Sequence, residues 1–208
     1  MKKIYNTLKI INYIIKSFIE DLFYYDLFFG QKLNNQQMSI LSKIRKDGFY
    51  VWKNFLDDKE CDLIKDDIEK IIKQKKEFSK IYDESDFRVY GGNFFSQKID
   101  SFNKNEVLEK LSSAFLRIKS TAFFTLSAKI LIKKSNLGSG QGWHRDTFKP
   151  YQFKAMVYLS NVSKENGPFQ ILQNTNKKFS LLENYLKYNL PHSKSRFNEE
   201  EILKMSSD

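Results

Sequence analysis

Residues 124–133 read FTLSAKILIK, and apolar side chains largely alternate with polar ones along this stretch. A period of two is typical of a β-strand with one face buried. Two stretches before it, residues 57–76 and 105–119, instead repeat apolar side chains every three or four positions, as a helix does. Further strands are predicted at residues 143–147, at 153–160, where the alternation recurs, and at 169–172. Helices followed by strands predict an α+β fold with an antiparallel sheet.

Local signals predict several shorter elements. Residues 38–46 are predicted to form a helix that Gly48 ends as a left-handed cap, and residues 49–52 a strand. Asp57 and Glu60 have the spacing of a capping box, which predicts a helix start. Two more helices are predicted near the end of the chain, at residues 180–188 and 198–205.

The first thirty residues are rich in isoleucine, phenylalanine, leucine and tyrosine, but charged residues such as Lys9 and Lys16 interrupt them. This pattern predicts an amphipathic helix that either packs on the domain or lies on a membrane surface, since both use one apolar stripe. No uncharged run reaches the roughly 18 residues of a membrane span, and no signal cleavage site follows. We therefore expect no transmembrane segment, a cytoplasmic location, a helical arm over 1–37 and one domain over 38–208.

Composition narrows the class of protein. Hydrophobic residues make up 41% of the 208 residues, which excludes general disorder, and the single cysteine, Cys61, excludes an internal disulfide. The net charge is +10, yet only five of the 35 basic residues are arginine, and lysines alternate with acids, as in KDDIEK at residues 65–70. A nucleic-acid surface concentrates its charge and favours arginine. We therefore expect a solvated basic surface and no nucleic-acid partner.

The pair His144 and Asp146 carries the chemistry. Residues two apart on an extended chain project to the same face, so an imidazole and a carboxylate can meet one ion. Together they are two of the three ligands of the facial triad that binds non-haem Fe(II). The spacing alone leaves a second interpretation open, a hydrogen-bonded structural pair.

Three segments in order resemble the phytanoyl-CoA dioxygenase family of Fe(II)/2-oxoglutarate oxygenases. Residues 47–61 (DGFYVWKNFLDDKEC) resemble its opening motif, residues 143–146 (WHRD) its metal-binding element, and residues 154–172 (KAMVYLSNVSKENGPFQIL) the strand and turn that follow. The resemblance implies a double-stranded β-helix, or jelly roll, with flanking N-terminal helices. It also implies a dioxygenase in which His144 and Asp146 bind iron.

The implied reaction hydroxylates a small-molecule substrate, while O₂ oxidises 2-oxoglutarate to succinate and CO₂. No catalytic residue is expected beyond the metal ligands, because the cofactor carries the chemistry. Lys129, Met156 and Tyr158 are predicted to line the cofactor pocket. For Lys129 a solvated strand lysine, and for Tyr158 a core or rim tyrosine, stay open as alternatives. Trp143 is expected to pack rather than to react.

Two departures from the family pattern bear on activity. The third iron ligand of the family is a histidine on a late strand, followed by an arginine that binds the distal carboxylate of 2-oxoglutarate. The other histidine here, His192, lies between helical patterns and is expected to be an exposed loop residue, and Arg196 follows it too closely. We therefore expect that the third ligand is absent, that the β-helix is incomplete at its C-terminal side, and that metal binding is weak. A non-catalytic jelly-roll module or an inactive paralogue is the alternative.

Overall fold

The computed structural model describes residues 2–25, 32–82, 84–117, 119, 123–131, 142–146, 152–177, 179–191 and 193–206. The α-helices in this part of the chain are α1 (Lys2–Tyr25), α2 (Asn35–Asp47), α3 (Asp58–Gln74), α4 (Gln97–Asn103), α5 (Glu106–Leu116), α6 (Ser180–Tyr188) and α7 (Glu199–Ser206). The strands are β1 (Ser79–Tyr82), β2 (Asp86–Tyr90) and β3 (Leu126–Ile130). Short 3₁₀ turns occupy Lys76–Phe78, Gly92–Phe94 and Lys164–Asn166.

The predicted helices are confirmed, and their ends have local causes. The backbone N–H of Glu60 donates to the Asp57 carboxylate at 2.7 Å, and the N–H of Asp57 donates to the Glu60 carboxylate at 3.1 Å. This capping box satisfies N–H groups that a helix start leaves without partners. Helix α5 ends earlier than predicted, because Arg117 adopts a left-handed conformation (φ 57°) and its N–H bonds the Ser113 carbonyl.

The three strands form one antiparallel sheet in the order β1-β2-β3, with Arg88 opposite both Lys80 and Ala128. One face packs on α3, where Val89 lies in a core cluster with Ile64 and Ile68. Helices beside an antiparallel sheet confirm the α+β prediction. Three strands do not make a double-stranded β-helix, so that part of the prediction stays a proposal.

Strand β3 turns its apolar side chains away from the helices. Ser127 is buried on the α3 side, while Leu126 and Ile130 on the other face are 44% and 48% exposed. The alternation in residues 124–133 therefore predicted the strand correctly. The same sheet face carries the Asp86–Arg88 ion pair, in which Asp86 is buried.

The other predicted strands are wrong for the residues that the structure describes. Residues 49–52, 153–160 and 169–172 form no strand, and in 142–146 only His144 makes a bridge. A strand needs a neighbouring backbone to pair with, and alternation in one segment carries no information about such a neighbour. Residues 132–133 and 147 lie outside the described part.

Helix α1 packs on α6, as the first interpretation of the N-terminal pattern expected. Ile10 and Ile14 are almost fully buried and form a cluster with Tyr185. A second cluster joins α2 to α5 through Leu41 and Leu111. None of the described helices is long and apolar enough to cross a membrane. The division into an arm over 1–37 and a domain over 38–208 stays a prediction.

Gly48 provides a test of the α2 cap. Its φ is +88°, and a Cβ built there would lie 3.0 Å from Cγ of Asn176. We expect Gly48→Ala to lower the free energy of unfolding by about 1.5–2 kcal/mol, through left-handed strain and this close contact. Urea denaturation would measure the loss. Gly167→Ala is the control, because Gly167 has φ +68° with open space around it and loses only the strain. Equal losses in the two variants would contradict the contact with Asn176.

Candidate metal centre

A single antiparallel β-bridge holds the His144–Asp146 segment against residues 195–197. The N–H of Arg145 donates to the Ser195 carbonyl at 2.8 Å, and the N–H of Phe197 donates to the Trp143 carbonyl at 3.0 Å. His144 thereby faces Arg196 in an antiparallel bridge. Backbone bonds on both sides of His144 hold this bridge, and the side chains of His144 and Asp146 project to the same side, with Nε2 and Oδ1 3.3 Å apart.

The imidazole of His144 lies between a carbonyl and a carboxylate. Its Nδ1 is 2.8 Å from the carbonyl oxygen of Gly142, and its Nε2 is 3.3 Å from Oδ1 of Asp146. A carbonyl only accepts, so Nδ1 carries the proton and, in the neutral ring, Nε2 presents its lone pair. That lone pair faces another acceptor. A metal ion placed between them would satisfy both acceptors.

The geometry of the pair fits a metal ion. Two donor atoms 3.3 Å apart are each about 2.1 Å from one ion when they subtend an angle of about 100° at it. Adjacent ligands of a facial triad take a similar angle. The carbonyl of Gly142 supplies the partner that metal-binding histidines use for their other ring nitrogen. Within the described ranges, however, no group of three histidine, cysteine, aspartate or glutamate side chains comes together. His192 lies outside the described residues.

Lys154 is a further partner of the site. Its ammonium pairs with Oδ2 of Asp146, the oxygen that His144 does not face. The hydrogen bond from Lys154 is the main reason why the pKa of Asp146 is lowered, and the nearby His144 lowers it further. The carboxylate therefore stays ionised at neutral pH, as a metal ligand must.

The Lys154–Asp146 ion pair leads to a prediction about the pH dependence of stability. Because the pKa of Asp146 is lowered on folding, its ionised form stabilises the protein above its ordinary pKa, and this contribution disappears as pH falls through the lowered value. We expect Lys154→Gln to raise the pKa of Asp146 towards its ordinary value, as measured by carboxyl-carbon NMR against pH. Lys53→Gln, at an exposed lysine that is not a partner of Asp146, is the control. An unchanged Asp146 pKa in Lys154→Gln would refute the pairing.

The structure places the three predicted pocket residues elsewhere. Lys129 lies on the α3 face of the sheet, with its ammonium paired to Glu69. The hydroxyl of Tyr158 accepts from the backbone N–H of Phe169 at 2.7 Å, and Met156 is 58% exposed. None of these contacts joins them to His144. Their role in cofactor binding stays a prediction.

Two residues beside the pair, Arg145 and Trp143, pack against other parts of the chain. The guanidinium of Arg145 lies 5.5 Å from the ring centre of Phe197. Burial lowers the pKa of Arg145, and Tyr13 of α1 opposes this shift, so the back of the segment lies near α1. Trp143 is half-buried, consistent with packing. Alternation along an extended chain would have placed Arg145 on the face away from His144. Nothing in the sequence indicated that Lys154 would contact Asp146.

The chain belongs to the phytanoyl-CoA dioxygenase (PhyH) family, whose family model matches residues 44–201. This range contains His144, Asp146 and both segments of the β-bridge between His144 and Arg196. The resemblance found in the sequence is thus confirmed, and membership supports an oxygenase-type enzyme with a cupin-like family fold. Searches of the curated proteins and of the solved structures each found no match.

Proposed function

We propose that this chain carries the His144–Asp146 half of an Fe(II)/2-oxoglutarate-dependent dioxygenase site that hydroxylates a small molecule. One observation carries the proposal. In a segment that the family model matches, an imidazole nitrogen and a carboxylate oxygen lie 3.3 Å apart, with the other ring nitrogen against a carbonyl. The single cysteine fits a reducing compartment such as the cytoplasm, where iron stays Fe(II).

Each residue has a role in this proposal. His144 and Asp146 hold the iron, Gly142 fixes the orientation and tautomer of the imidazole, and Lys154 fixes the carboxylate. The metal, when bound with 2-oxoglutarate, supplies the oxidation chemistry.

A second candidate function is a non-catalytic member of the same family. The pairing of Lys154 with Asp146 favours it, because an ammonium satisfies one carboxylate oxygen without any metal. In that case the pair is a structural contact and not a metal site. The two candidates differ in one measurable property, the binding of Fe(II).

The test is an anaerobic titration of the 208-residue chain with Fe(II), followed by addition of 2-oxoglutarate. We expect one weak Fe(II) site, tightened by 2-oxoglutarate, and a visible absorption band that appears when both are present. Succinate formation after admission of O₂ would then measure coupled turnover. No Fe(II) binding at millimolar concentrations, with or without 2-oxoglutarate, would favour the non-catalytic candidate.

A further inference from the structure

Helix α1 carries a second apolar stripe besides the one buried on α6. Ile4, Leu8, Ile15 and Ile19 follow one another at intervals of four or seven residues and are between 46% and 66% exposed. At 3.6 residues per turn their common direction lies about 130° around the helix axis from Ile10 and Ile14. We call these four residues the outer stripe. The helix is therefore anchored to the body on one side and presents the outer stripe on another.

Phe18 and Phe179 extend the apolar surface at the end of the outer stripe. Their ring centres are 5.8 Å apart, and they are 43% and 59% exposed. A continuous apolar strip of this kind is larger than the scattered apolar residues of an ordinary surface, and marks an interaction site.

The charge of the helix indicates what covers the outer stripe. Between Lys2 and Ile19 there are four lysines and no acidic residue, and the two acids of α1, Glu20 and Asp21, follow the outer stripe in sequence. Lys9 and Lys16 are exposed and lie about 100° around the axis from the outer stripe, along its border. Lysines in this position reach the headgroups of a lipid surface while neighbouring apolar side chains enter it.

The same charges disfavour a second copy of the chain as the partner. If two outer stripes packed together, Lys9 and Lys16 would border both sides of the contact, while the two acids of α1, Glu20 and Asp21, lie beyond the stripe in sequence. Helix pairs that associate through an apolar seam place opposite charges along its borders. An anionic surface has the complementary charge.

We propose that α1 is an interfacial anchor that binds the surface of a membrane containing anionic lipid, with the outer stripe in the lipid and Lys9 and Lys16 at the headgroups. The packing of Ile10 and Ile14 on α6 holds the helix against the rest of the protein. The rest of the chain, including the metal pair, then stays at the membrane surface. This proposal does not depend on the proposed enzymatic function.

The experiment is cosedimentation of the 208-residue chain with vesicles made of equal parts phosphatidylserine and phosphatidylcholine, and with pure phosphatidylcholine. We expect strong binding to the anionic vesicles that weakens with added salt, and much weaker binding to the neutral ones. Leu8→Gln/Ile15→Gln should lower the partition coefficient about 100-fold, since each side chain contributes about tenfold or more. Lys9→Gln/Lys16→Gln should lower it about 25-fold, on anionic vesicles only.

The matched control is Ile81→Gln/Leu203→Gln, which removes the same two side-chain types from sites that are 57% and 65% exposed outside α1. It should bind as the unaltered chain does, and circular dichroism should show the same helix content in all variants. Three results would overturn the proposal. They are absence of vesicle binding, binding that Leu8→Gln/Ile15→Gln leaves unchanged, and a dimer in light scattering that this variant converts to a monomer.

Discussion

In an anaerobic titration with Fe(II), His144→Ala and Asp146→Ala should each lower the affinity by about 100-fold or more. Each variant removes one of the two protein ligands proposed for the ion, and a single remaining ligand fixes neither its position nor its geometry. Asp146→Asn should have nearly the same effect, because an amide keeps the shape of the side chain but lacks its charge. Any 2-oxoglutarate-dependent succinate formation should disappear together with the metal.

The control for this series is Asp62→Ala, which removes an acid that is 70% exposed on α3 and pairs with Lys65, three residues away. It should leave Fe(II) affinity unchanged. If Asp146→Ala bound Fe(II) as tightly as the unaltered chain, the ion would be held elsewhere. The His144–Asp146 pair would then be a structural contact, with Lys154 as the main partner of the carboxylate.

The helices could be predicted from sequence because their signals are local. The capping box of α3 involves Asp57 and Glu60, three residues apart, and the end of α2 needs only Gly48. The predicted end of α5 was wrong, and its cause is also local, but the sequence does not show it. Nothing in the pattern of residues 105–119 marks Arg117 as the left-handed residue that ends α5.

The strands were harder to predict because pairing involves distant residues. Hairpin β1–β2 was not predicted, since its strands are four and five residues long and one apolar row, Phe87 and Val89, is short. Residues 153–160 show alternation, and Phe153 packs on Phe115, with ring centres 6.0 Å apart, but the segment has no ladder partner in the described part. Alternation alone therefore indicated which side chains turn inward, not which backbones pair.

The contacts of His144 and Asp146 also divide into one that the local sequence predicted and others that depend on distant residues. A period of two predicted that His144 and Asp146 would face the same way, and they do. The segment that holds them extended, Ser195–Phe197, is distant in sequence, so no local pattern indicated it. Lys154 is likewise brought to Asp146 by the fold. The sequence thus predicted that these two side chains meet, while their supporting partners required the three-dimensional structure.

A second substitution with a large expected effect on Fe(II) affinity is at Gly142, whose backbone carbonyl contacts His144. Its φ is +79°, a conformation that glycine adopts without strain and other residues rarely do. In this conformation its carbonyl receives Nδ1–H of His144 and leaves Nε2 directed at Asp146. Partners of this kind typically change metal affinity by 10- to 100-fold when they are lost. We therefore expect Gly142→Ala to weaken Fe(II) binding by about that factor, although both ligands remain.

Gly167→Ala separates the strain from the positioning effect, because Gly167 also has a positive φ but lies in a turn with open space around it. Both variants should lose about 1 kcal/mol of unfolding free energy, and only Gly142→Ala should lose Fe(II) affinity. Long-range proton–nitrogen NMR spectra of the metal-free proteins would show whether the proton of His144 stays on Nδ1. A Gly142→Ala variant with unaltered Fe(II) affinity and an unaltered tautomer would mean that the β-bridge to Ser195–Phe197 orients the imidazole without the Gly142 carbonyl. The backbone bonds of Arg145 and Phe197 would then be the next positions to test.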